Sequence, residues 1–244
     1  MPVTRYLHNI KRQIGFSHNV LTIVAMITMF IDHVALTLIQ NGKLYGYDAV
    51  LYSNAIALDE ARGWVILCKV LRTIGRISFP IYAFLIVEGF RKTSNLFKYG
   101  LRLIILAFIS EIPYDLMVFN EIFTLRCFEV QNVVFTYFIG LVMLVVIRAM
   151  NSLPSFFTIF PAIIAGALTY FLKTDYAIEG IVLMYIFYMF RNDIDLKCLF
   201  AIIITLIMSL TNYYGAAVLS IIFIYLYDGT RGSINLRRLH YIDR

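Results

Sequence analysis

The stretch VLTIVAMITMFIDHVALTLIQ at residues 20–40 decides the fold class of this chain. It offers about twenty consecutive residues that are nearly all apolar, which is the length that an α-helix needs to cross a bilayer. Asp32 and His33 interrupt the run near its middle. An apolar segment of this length that carries an ionisable pair is typical of a transmembrane helix with a functional site.

Similar apolar windows fill most of the chain. The predicted spans are 20–40, 64–90, 99–118, 132–150, 155–172, 176–191, 197–213 and 215–227. Of the 244 residues, 61% are hydrophobic and only 15% are charged, whereas a soluble domain carries about 25% charge. The sequence therefore predicts an all-α, polytopic transmembrane helix bundle with about eight spans. We expect one integral membrane domain over 1–244, with 20–227 spanning and with cytoplasmic tails at 1–19 and 228–244.

The second window is longer than one span requires and contains a proline. It covers 64–90, and Pro80 lies in its second half. Proline inside a helix removes a backbone donor and clashes with the preceding turn. The sequence therefore predicts a kink or a break near Pro80.

The distribution of Lys and Arg predicts the orientation. If the N-terminus is cytoplasmic, thirteen of the 21 basic residues fall on the inner side. Those on the outer side are Lys43, Arg62, Arg126 and Lys173. This asymmetry fits the positive-inside rule and favours an even number of spans with both termini in the cytoplasm. We interpret the net charge of +6 as topological and expect no nucleic-acid partner.

Ionisable residues inside the predicted spans mark the candidate site, because each costs a few kcal/mol at the bilayer centre unless it is paired or hydrated. They are Asp32, His33, Arg72, Arg76, Glu111 and Glu179. Counted along their helices, these residues reach a common depth of roughly 20 Å. We name this set the charged layer, with Glu111 and Glu88 as its supporting carboxylates. We expect opposite charges to meet there around a polar cavity.

The spacing within the charged layer assigns partners. Arg72 and Arg76 are four residues apart and so share a helix face, and two guanidiniums suit a carboxylate, a phosphate or an oxyanion. Asp32 and His33 lie about 100° apart around their helix. Asp32 is therefore expected to pair with one of the arginines, which leaves His33 directed at a substrate. The alternative is a structural salt-bridge cluster, and Glu179 alone also fits an interfacial position.

A basic run follows the second window. It consists of Arg91, Lys92, Lys98 and Arg102. One interpretation is an interaction with anionic lipid that fixes topology, and the other is a docking site for a phosphorylated cytoplasmic cofactor. The three cysteines (Cys68, Cys127 and Cys198) show no paired spacing, so neither a disulfide framework nor a metal site is predicted.

Several segments together resemble the TraX family of bacterial integral membrane proteins. They are IDHV at 31–34, GRISFPIYAFLIVEGFRKT at 75–93, YGLRLIILAFISEIPYDL at 99–116, QNVVFTYFIGL at 131–141 and YDGTRG at 227–232. The resemblance extends over residues 20–232, and its most specific parts are the DH pair and the GR-x-x-FP block. Members of the family often carry a further C-terminal histidine; here His240 lies in a basic segment.

The resemblance implies a multi-pass protein of the bacterial inner membrane that is related to conjugative pilin N-acetylation. It also implies kinship with membrane acyltransferases, which move acetyl groups from cytoplasmic acetyl-CoA to an acceptor and use an intramembrane histidine. On this basis His33 is the expected catalytic residue, with Asp32 as its companion and Arg76 and Arg72 as further site residues. The acceptor is a protein amine, such as a pilin N-terminus, or a small molecule or glycan. Both direct transfer and an acetyl-histidine intermediate are compatible with this arrangement.

Two other classes of function remain open at this point. A midplane layer of Asp, His, Arg and Glu also suits a proton-coupled transporter, although the internal repeats that many transporters contain are not visible in this sequence. A non-enzymatic pilus-assembly factor would use the layer only for structure and would bind its partner through small residues, for which AGA at 165–167 is a candidate.

Overall fold

The computed structural model describes residues 15–122, 124–211 and 215–232. Most of the two predicted tails lies outside these ranges, as does His240, so the location of the tails stays a prediction. Within the described residues the protein is built from helices and has no β-strand, which confirms the predicted all-α class.

The helices follow one another with short connections. In the described ranges the α-helices are α1 (His18–Val34), α2 (Ala49–Ile56), α3 (Arg62–Gly75), α4 (Ser78–Lys92), α5 (Leu96–Phe119), α6 (Val133–Ala149), α7 (Ile159–Phe171), α8 (Ala177–Met189), α9 (Ile194–Thr211) and α10 (Ser220–Tyr225). The π-helical segment Ala35–Asn41 continues α1. Single 3-10 turns at Asp59–Ala61, Ser155–Thr158 and Gly215–Leu219 precede α3, α7 and α10.

Polar side chains determine where several of these helices begin. The hydroxyl of Ser17 accepts a hydrogen bond from the Val20 N–H at the start of α1. Asn95 and Asn132 cap α5 and α6 in the same way. Such residues satisfy backbone donors that the first helical turn leaves without partners.

Each of the eight predicted windows contains a helix or a pair of helices, but the number of membrane spans is not confirmed. Among the described residues, two helical segments are long and apolar enough to cross a bilayer. They are His18–Asn41, with 24 residues, and Asp59–Lys92, with 34 residues. Apolar helices such as α6 and α8 are shorter than the usual spanning length.

The predicted break in the second window is confirmed, although it lies before Pro80. Helix α3 ends at Gly75 with Arg76 as its C-cap, and α4 begins at Ser78. Pro80 therefore occupies the first turn of α4, where the absence of its N–H removes no helical hydrogen bond. The break falls at the depth that the charged layer was predicted to occupy.

Consecutive helices bring their termini together at two ends of the bundle. At one end, Lys92 at the end of α4 donates a hydrogen bond of 2.8 Å to the Tyr227 hydroxyl, and Phe16 pairs with Tyr227 through the backbone. At the other end, the Asn41 amide donates to the Met117 carbonyl of α5. We name these the Lys92 end and the Asn41 end. The first and last described segments therefore meet at the Lys92 end.

Helix α4 lies at the centre of the bundle and is buried along most of its length. It packs against α1, α6, α8 and α10, and Phe84 is in edge-to-face contact with Phe187 of α8. The outer faces remain apolar; Phe30 of α1 and Ile164 of α7 are 67% and 68% exposed. A bundle that is apolar both inside and outside matches a lipid environment.

Candidate functional site

An ion pair joins α1 to α3 at the level of the helix break. The Arg72 guanidinium lies 3.0 Å from Asp32 Oδ2, and both side chains are mostly shielded, with 16% and 17% of their surfaces exposed. Arg72 is in the last turn of α3, and Asp32 is near the end of α1. Charges in an apolar bundle are tolerated when they are paired in this way. This contact agrees with the expectation that Asp32 pairs with an arginine.

Gly75 brings the end of α3 against Asp32. A Cβ atom at Gly75 would lie 2.6 Å from Asp32 Oδ1, which is closer than side-chain atoms approach one another. Oδ1 itself is buried and accepts no hydrogen bond from the described residues. One oxygen of Asp32 is thus committed to Arg72, and the other is left as an acceptor.

Arg76 contacts a different element from Arg72. Its guanidinium donates a hydrogen bond to the Tyr176 hydroxyl and lies 5.5 Å from the centroid of the same ring. Tyr176 belongs to the connection between α7 and α8. The two arginines thus contact different elements, Arg72 through Asp32 of α1 and Arg76 through Tyr176.

Each of the four specified residues of the GR-x-x-FP block has a structural role. Gly75 permits the approach to Asp32, and Arg76 binds Tyr176. The Phe79 ring stacks on Tyr176 with 3.8 Å between centroids. Pro80 lies in the first turn of α4. The block thus joins the helix break to the α7–α8 connection.

The α7–α8 connection is itself held by α6. The Thr136 hydroxyl lies 2.7 Å from Thr174 Oγ1 and 2.6 Å from the Asp175 carbonyl oxygen. Tyr176 adopts φ of 54°, the left-handed region that residues with side chains rarely occupy. Backbone strain of this kind persists where the surroundings impose it, often at functional sites. These contacts fix the tyrosine that binds Arg76.

Asp175 lies in the same connection, outside the helices. Burial raises the pKa of its carboxyl above the ordinary value, and the nearby positive charge of Arg76 opposes that rise.

Glu111 belongs to the same region but has an amide as its partner. The Asn132 side chain donates to Glu111 Oε2, and the Asn132 backbone N–H lies 3.2 Å from the same oxygen. Tyr114 lies within electrostatic range of both Glu111 and Asp175. Polar groups thus extend from the helix break towards the start of α6.

His33 is exposed on the surface of α1, unlike its neighbour Asp32. It forms no hydrogen bond to a described residue, and Arg72 and Asp32 lie within its electrostatic range. The expected enclosure of this ring in a polar cavity is therefore not observed among the described residues. The structure places the imidazole at the edge of the charged layer, facing outwards from the bundle.

Glu88 does not belong to the charged layer, which corrects the prediction. It lies at the Lys92 end, where its carboxylate pairs with Arg91 at 2.6 Å and with Lys92 at 3.3 Å. Twelve residues of α4 separate it from Arg76, or about 18 Å at 1.5 Å per residue. Glu88 was assigned to the layer without a count of its depth, and it belongs to the last turns of its helix.

The remaining candidate residues are Lys98, Arg102 and Glu179. Lys98 and Arg102 are exposed on the first turns of α5, near the Lys92 end. Glu179 is in the first turn of α8. In the described ranges no three His, Cys, Asp or Glu side chains cluster as metal ligands would.

One cavity opens at the Asn41 end, and it is separate from the charged layer. It has a volume of about 220 Å³, and its lining residues are Thr37, Asn41, Gly42, Tyr47, Leu116, Met117 and Asn120. This cavity includes none of the predicted site residues.

Sequence reasoning missed Asp175, Tyr176, Asn132 and Thr136 as members of this region. All four lie at helix starts or in short connections, which the sequence presents as an interface with water. Because α7 and α8 have only 13 residues each, their connection extends less far from the bundle centre. The short length of these two helices is the feature that indicates a connection close to the bundle centre.

Comparisons with known proteins complete the description. The model of a family described as "TraX protein" matches residues 17–242 of the chain. A relative from Dichelobacter nodosus, named "Probable fimbrial assembly protein FimC, serogroup H1", is 31% identical over 162 residues. That match covers 65% of this chain but only 57% of the relative's length. No solved structure gives a significant match.

Proposed function

This chain belongs to the TraX protein family, and on that premise we propose that it is an integral membrane acetyltransferase. It takes an acetyl group from cytoplasmic acetyl-CoA and transfers it to an amine or hydroxyl acceptor. Because the relative is named for fimbrial assembly, the first acceptor to consider is a pilus subunit, and a small molecule or glycan is the second. The chain spans little more than half of that relative, so these roles are inferred for the described bundle only.

The ion pair between Asp32 and Arg72 carries the proposal. A bundle whose core and outer faces are apolar maintains two opposite charges at the break between α3 and α4. Maintaining such a pair is costly for stability alone, since apolar residues of similar volume often serve as well. His33 is the adjacent residue on α1 and lies within the electrostatic range of both members of the pair.

The chemistry follows from the side chains present. His33 accepts the proton of the acceptor amine or hydroxyl while that group attacks the thioester carbonyl carbon. The guanidinium of Arg72 or Arg76 stabilises the developing oxyanion. The carbon–sulfur bond then breaks, the acetyl group stays on the acceptor, and His33 returns the proton to the departing thiolate. Asp32 balances charge and positions Arg72.

The exposure of His33 restricts how the acceptor approaches. The ring is on the outer surface of α1 and not inside a tunnel. Its neighbours along the same helix, Phe30 and Ile27, are apolar and largely exposed. An acceptor embedded in the bilayer reaches this position sideways, without passing through the bundle. A membrane-anchored acceptor therefore fits this surface better than a soluble one.

Localisation is part of the proposal. Among the described residues, the Lys92 end carries Arg91, Lys92, Lys98, Arg148, Arg191, Lys197 and Arg231, whereas the Asn41 end carries Lys43, Arg62, Arg126 and Lys173. The excess at the Lys92 end fits the positive-inside rule. We place that end in the cytoplasm and the bundle in the bacterial inner membrane, with both termini cytoplasmic.

Release of coenzyme A tests the proposal from the donor side. The purified protein in lipid nanodiscs is incubated with acetyl-CoA and a membrane extract that contains candidate acceptors, and free thiol is measured. Acceptor-dependent release is expected for the native chain and is expected to vanish in His33→Ala. His18→Ala, at the opposite end of α1, is the matched control and should keep full activity. Equal release by His33→Ala and the native chain would refute the catalytic assignment.

One observation favours a second function, that of a non-enzymatic assembly factor. His33 makes no hydrogen bond to a described residue and is not enclosed, and the relative is named for assembly alone. In that case the Asp32–Arg72 pair serves only to hold α1 against α3. A pilus-assembly assay separates the two functions: His33→Ala should abolish assembly if acetylation is required and leave it unchanged if the bundle acts only as a scaffold.

A further inference from the structure

A pair of aromatic rings at the Lys92 end contacts two arginines, one from α6 and one from the connection between α8 and α9. The rings of Phe90 in α4 and Tyr188 in α8 meet edge to face, with 5.6 Å between their centroids. The guanidinium carbon of Arg148 lies 5.7 Å from the Phe90 centroid, and that of Arg191 lies 4.7 Å from the Tyr188 centroid. Four residues from three helices and one connection thus form one unit, which we name the arginine–ring cluster.

The arginines of this cluster differ from the neighbouring basic residues in their partners. Glu88 binds both Arg91 and Lys92. Neither Arg148 nor Arg191 forms an ion pair with a described carboxylate. Arg191 donates one hydrogen bond of 3.0 Å to the Tyr188 carbonyl, which is neutral. The positive charge of the cluster is therefore not neutralised within the described bundle.

A third cation reinforces the cluster. Lys197 of α9 is only 5% exposed, and its ammonium group lies 3.4 Å from the Arg191 carbonyl oxygen and 5.5 Å from the Phe84 centroid. A buried ammonium next to the Arg191 backbone adds positive charge to this end of the bundle. Helix C-termini attract cations, but that effect alone does not require two guanidiniums on the faces of one ring pair.

The geometry suits a phosphate group. A guanidinium that rests on an aromatic face keeps its N–H edges free, and those edges match phosphate oxygens in a bidentate arrangement. Arg performs this role better than Lys because its fork is planar and permanently charged. Arg148 belongs to the last turn of α6, Arg191 to the connection between α8 and α9, and Lys197 to α9, so the three cations come from separate elements.

We propose that the arginine–ring cluster binds the phosphate groups of an anionic ligand at the Lys92 end, and that this ligand is the acyl donor. The identity of the ligand rests on the proposed function; the affinity for phosphate does not. Fourteen residues of α4 separate Phe90 from Arg76, or about 21 Å. A donor anchored here requires a long arm between its phosphates and its acyl carbon, which a coenzyme A thioester has and an acyl phosphate lacks.

Binding measured without turnover tests this assignment. The full-length protein is placed in nanodiscs of neutral phosphatidylcholine, and coenzyme A is titrated against it, with pantetheine as the phosphate-free probe. The native chain should bind coenzyme A, and bind it more weakly as salt increases, while pantetheine should bind poorly. Each of Arg148→Gln and Arg191→Gln should raise the Kd by about tenfold or more, as expected for loss of a charge-assisted contact.

Control variants separate a local effect from a change in net charge or in folding. Arg62→Gln/Lys173→Gln removes two exposed charges at the Asn41 end and should leave the Kd unchanged. Arg148→Lys/Arg191→Lys retains charge and should bind at an intermediate level. The melting temperature of each variant is measured to identify any that is misfolded. If the double variant Arg148→Lys/Arg191→Lys is misfolded, the single variants Arg148→Lys and Arg191→Lys are used in its place. Unchanged coenzyme A affinity in the folded Gln variants would overturn the proposal.

A lipid arm distinguishes the two sources of phosphate. Native mass spectrometry is repeated with nanodiscs that contain phosphatidylglycerol. One possible result is that the native chain retains this lipid, the Gln variants lose it, and coenzyme A binds to none of them. That result would support the phosphate site and overturn its assignment to the acyl donor. If coenzyme A binds through the arginine–ring cluster but no acceptor is acetylated, the phosphate site is supported and the proposed acetyltransferase function is refuted.

Discussion

Gly75 lies against Asp32 so closely that a methyl group at position 75 would overlap the carboxylate. This contact allows the end of α3 to approach α1 and allows Arg72 to reach Asp32 at 3.0 Å. The glycine of the GR-x-x-FP block is thus a packing requirement of the ion pair. The break after α3, Gly75 and the Asp32 carboxylate are therefore in direct contact and depend on one another.

Gly75→Ala should therefore destabilise the bundle. The new methyl group has no room beside Asp32 and displaces either α3 or the carboxylate, at a cost of about 1–3 kcal/mol. Thermal unfolding in detergent measures the loss. Gly63→Ala is the matched control, since it lies in the same helix with open space around the new methyl and should stabilise the helix slightly. Equal melting temperatures for the two variants would contradict this contact.

The Asp32–Arg72 pair should show strong coupling in a double-mutant cycle. Asp32→Asn or Arg72→Gln alone leaves one charge without its partner in a shielded site, so each should destabilise by about 3 kcal/mol. The double variant should recover much of the loss. The exposed Arg126–Glu121 pair, at 3.4 Å, is the control and should couple by less than about 1 kcal/mol. Additive effects at Asp32 and Arg72 would show that the pair is not an energetic unit.

Tyr176→Phe should separate the positioning of Arg76 from the packing of the ring. The variant retains the stack on Phe79 and loses the hydroxyl that binds Arg76. We expect a loss of stability of about 1 kcal/mol and a lower acetyl-transfer rate with an unchanged affinity for coenzyme A. The exposed Tyr170 provides the control variant Tyr170→Phe, which should alter neither rate nor stability.

Asp175 should make stability depend on pH. Burial raises its pKa in the folded protein, so the folded state binds more protons than the unfolded state between the ordinary and the raised pKa. Stability should therefore decrease as pH rises through that interval and stay lower above it. Asp175→Asn mimics the protonated carboxyl and should flatten this dependence in melting curves. Asp59→Asn, at an exposed position, should leave the slope unchanged.

The sequence predicted the contacts that depend on helix periodicity and depth. Asp32 and His33 differ by about 100° around α1, which predicted different partners for the two side chains, and the carboxylate binds Arg72. The expected position of His33 in a polar cavity is not observed among the described residues. The break in the second window was expected from Pro80 and occurs at Arg76, because a proline fits the first turn of the following helix.

The sequence did not predict contacts that depend on how far a connection extends into the bundle. Tyr176 was predicted to be the first residue of the span 176–191; in the structure it lies in the short connection before α8 and binds Arg76. Glu88 was assigned to the charged layer, yet it pairs with Arg91 one helical turn away at the opposite end. Its depth follows from where α4 begins, which tertiary packing determines and periodicity does not.

Mass spectrometry of the acceptor tests the central claim most directly. The native chain and His33→Ala, each in nanodiscs, are incubated with isotope-labelled acetyl-CoA and a membrane extract, and acceptor masses are then compared. The account predicts that a membrane-anchored acceptor gains one labelled acetyl group with the native chain and none with His33→Ala. A folded native chain that labels no acceptor, or a His33→Ala chain that labels it equally well, would contradict the account.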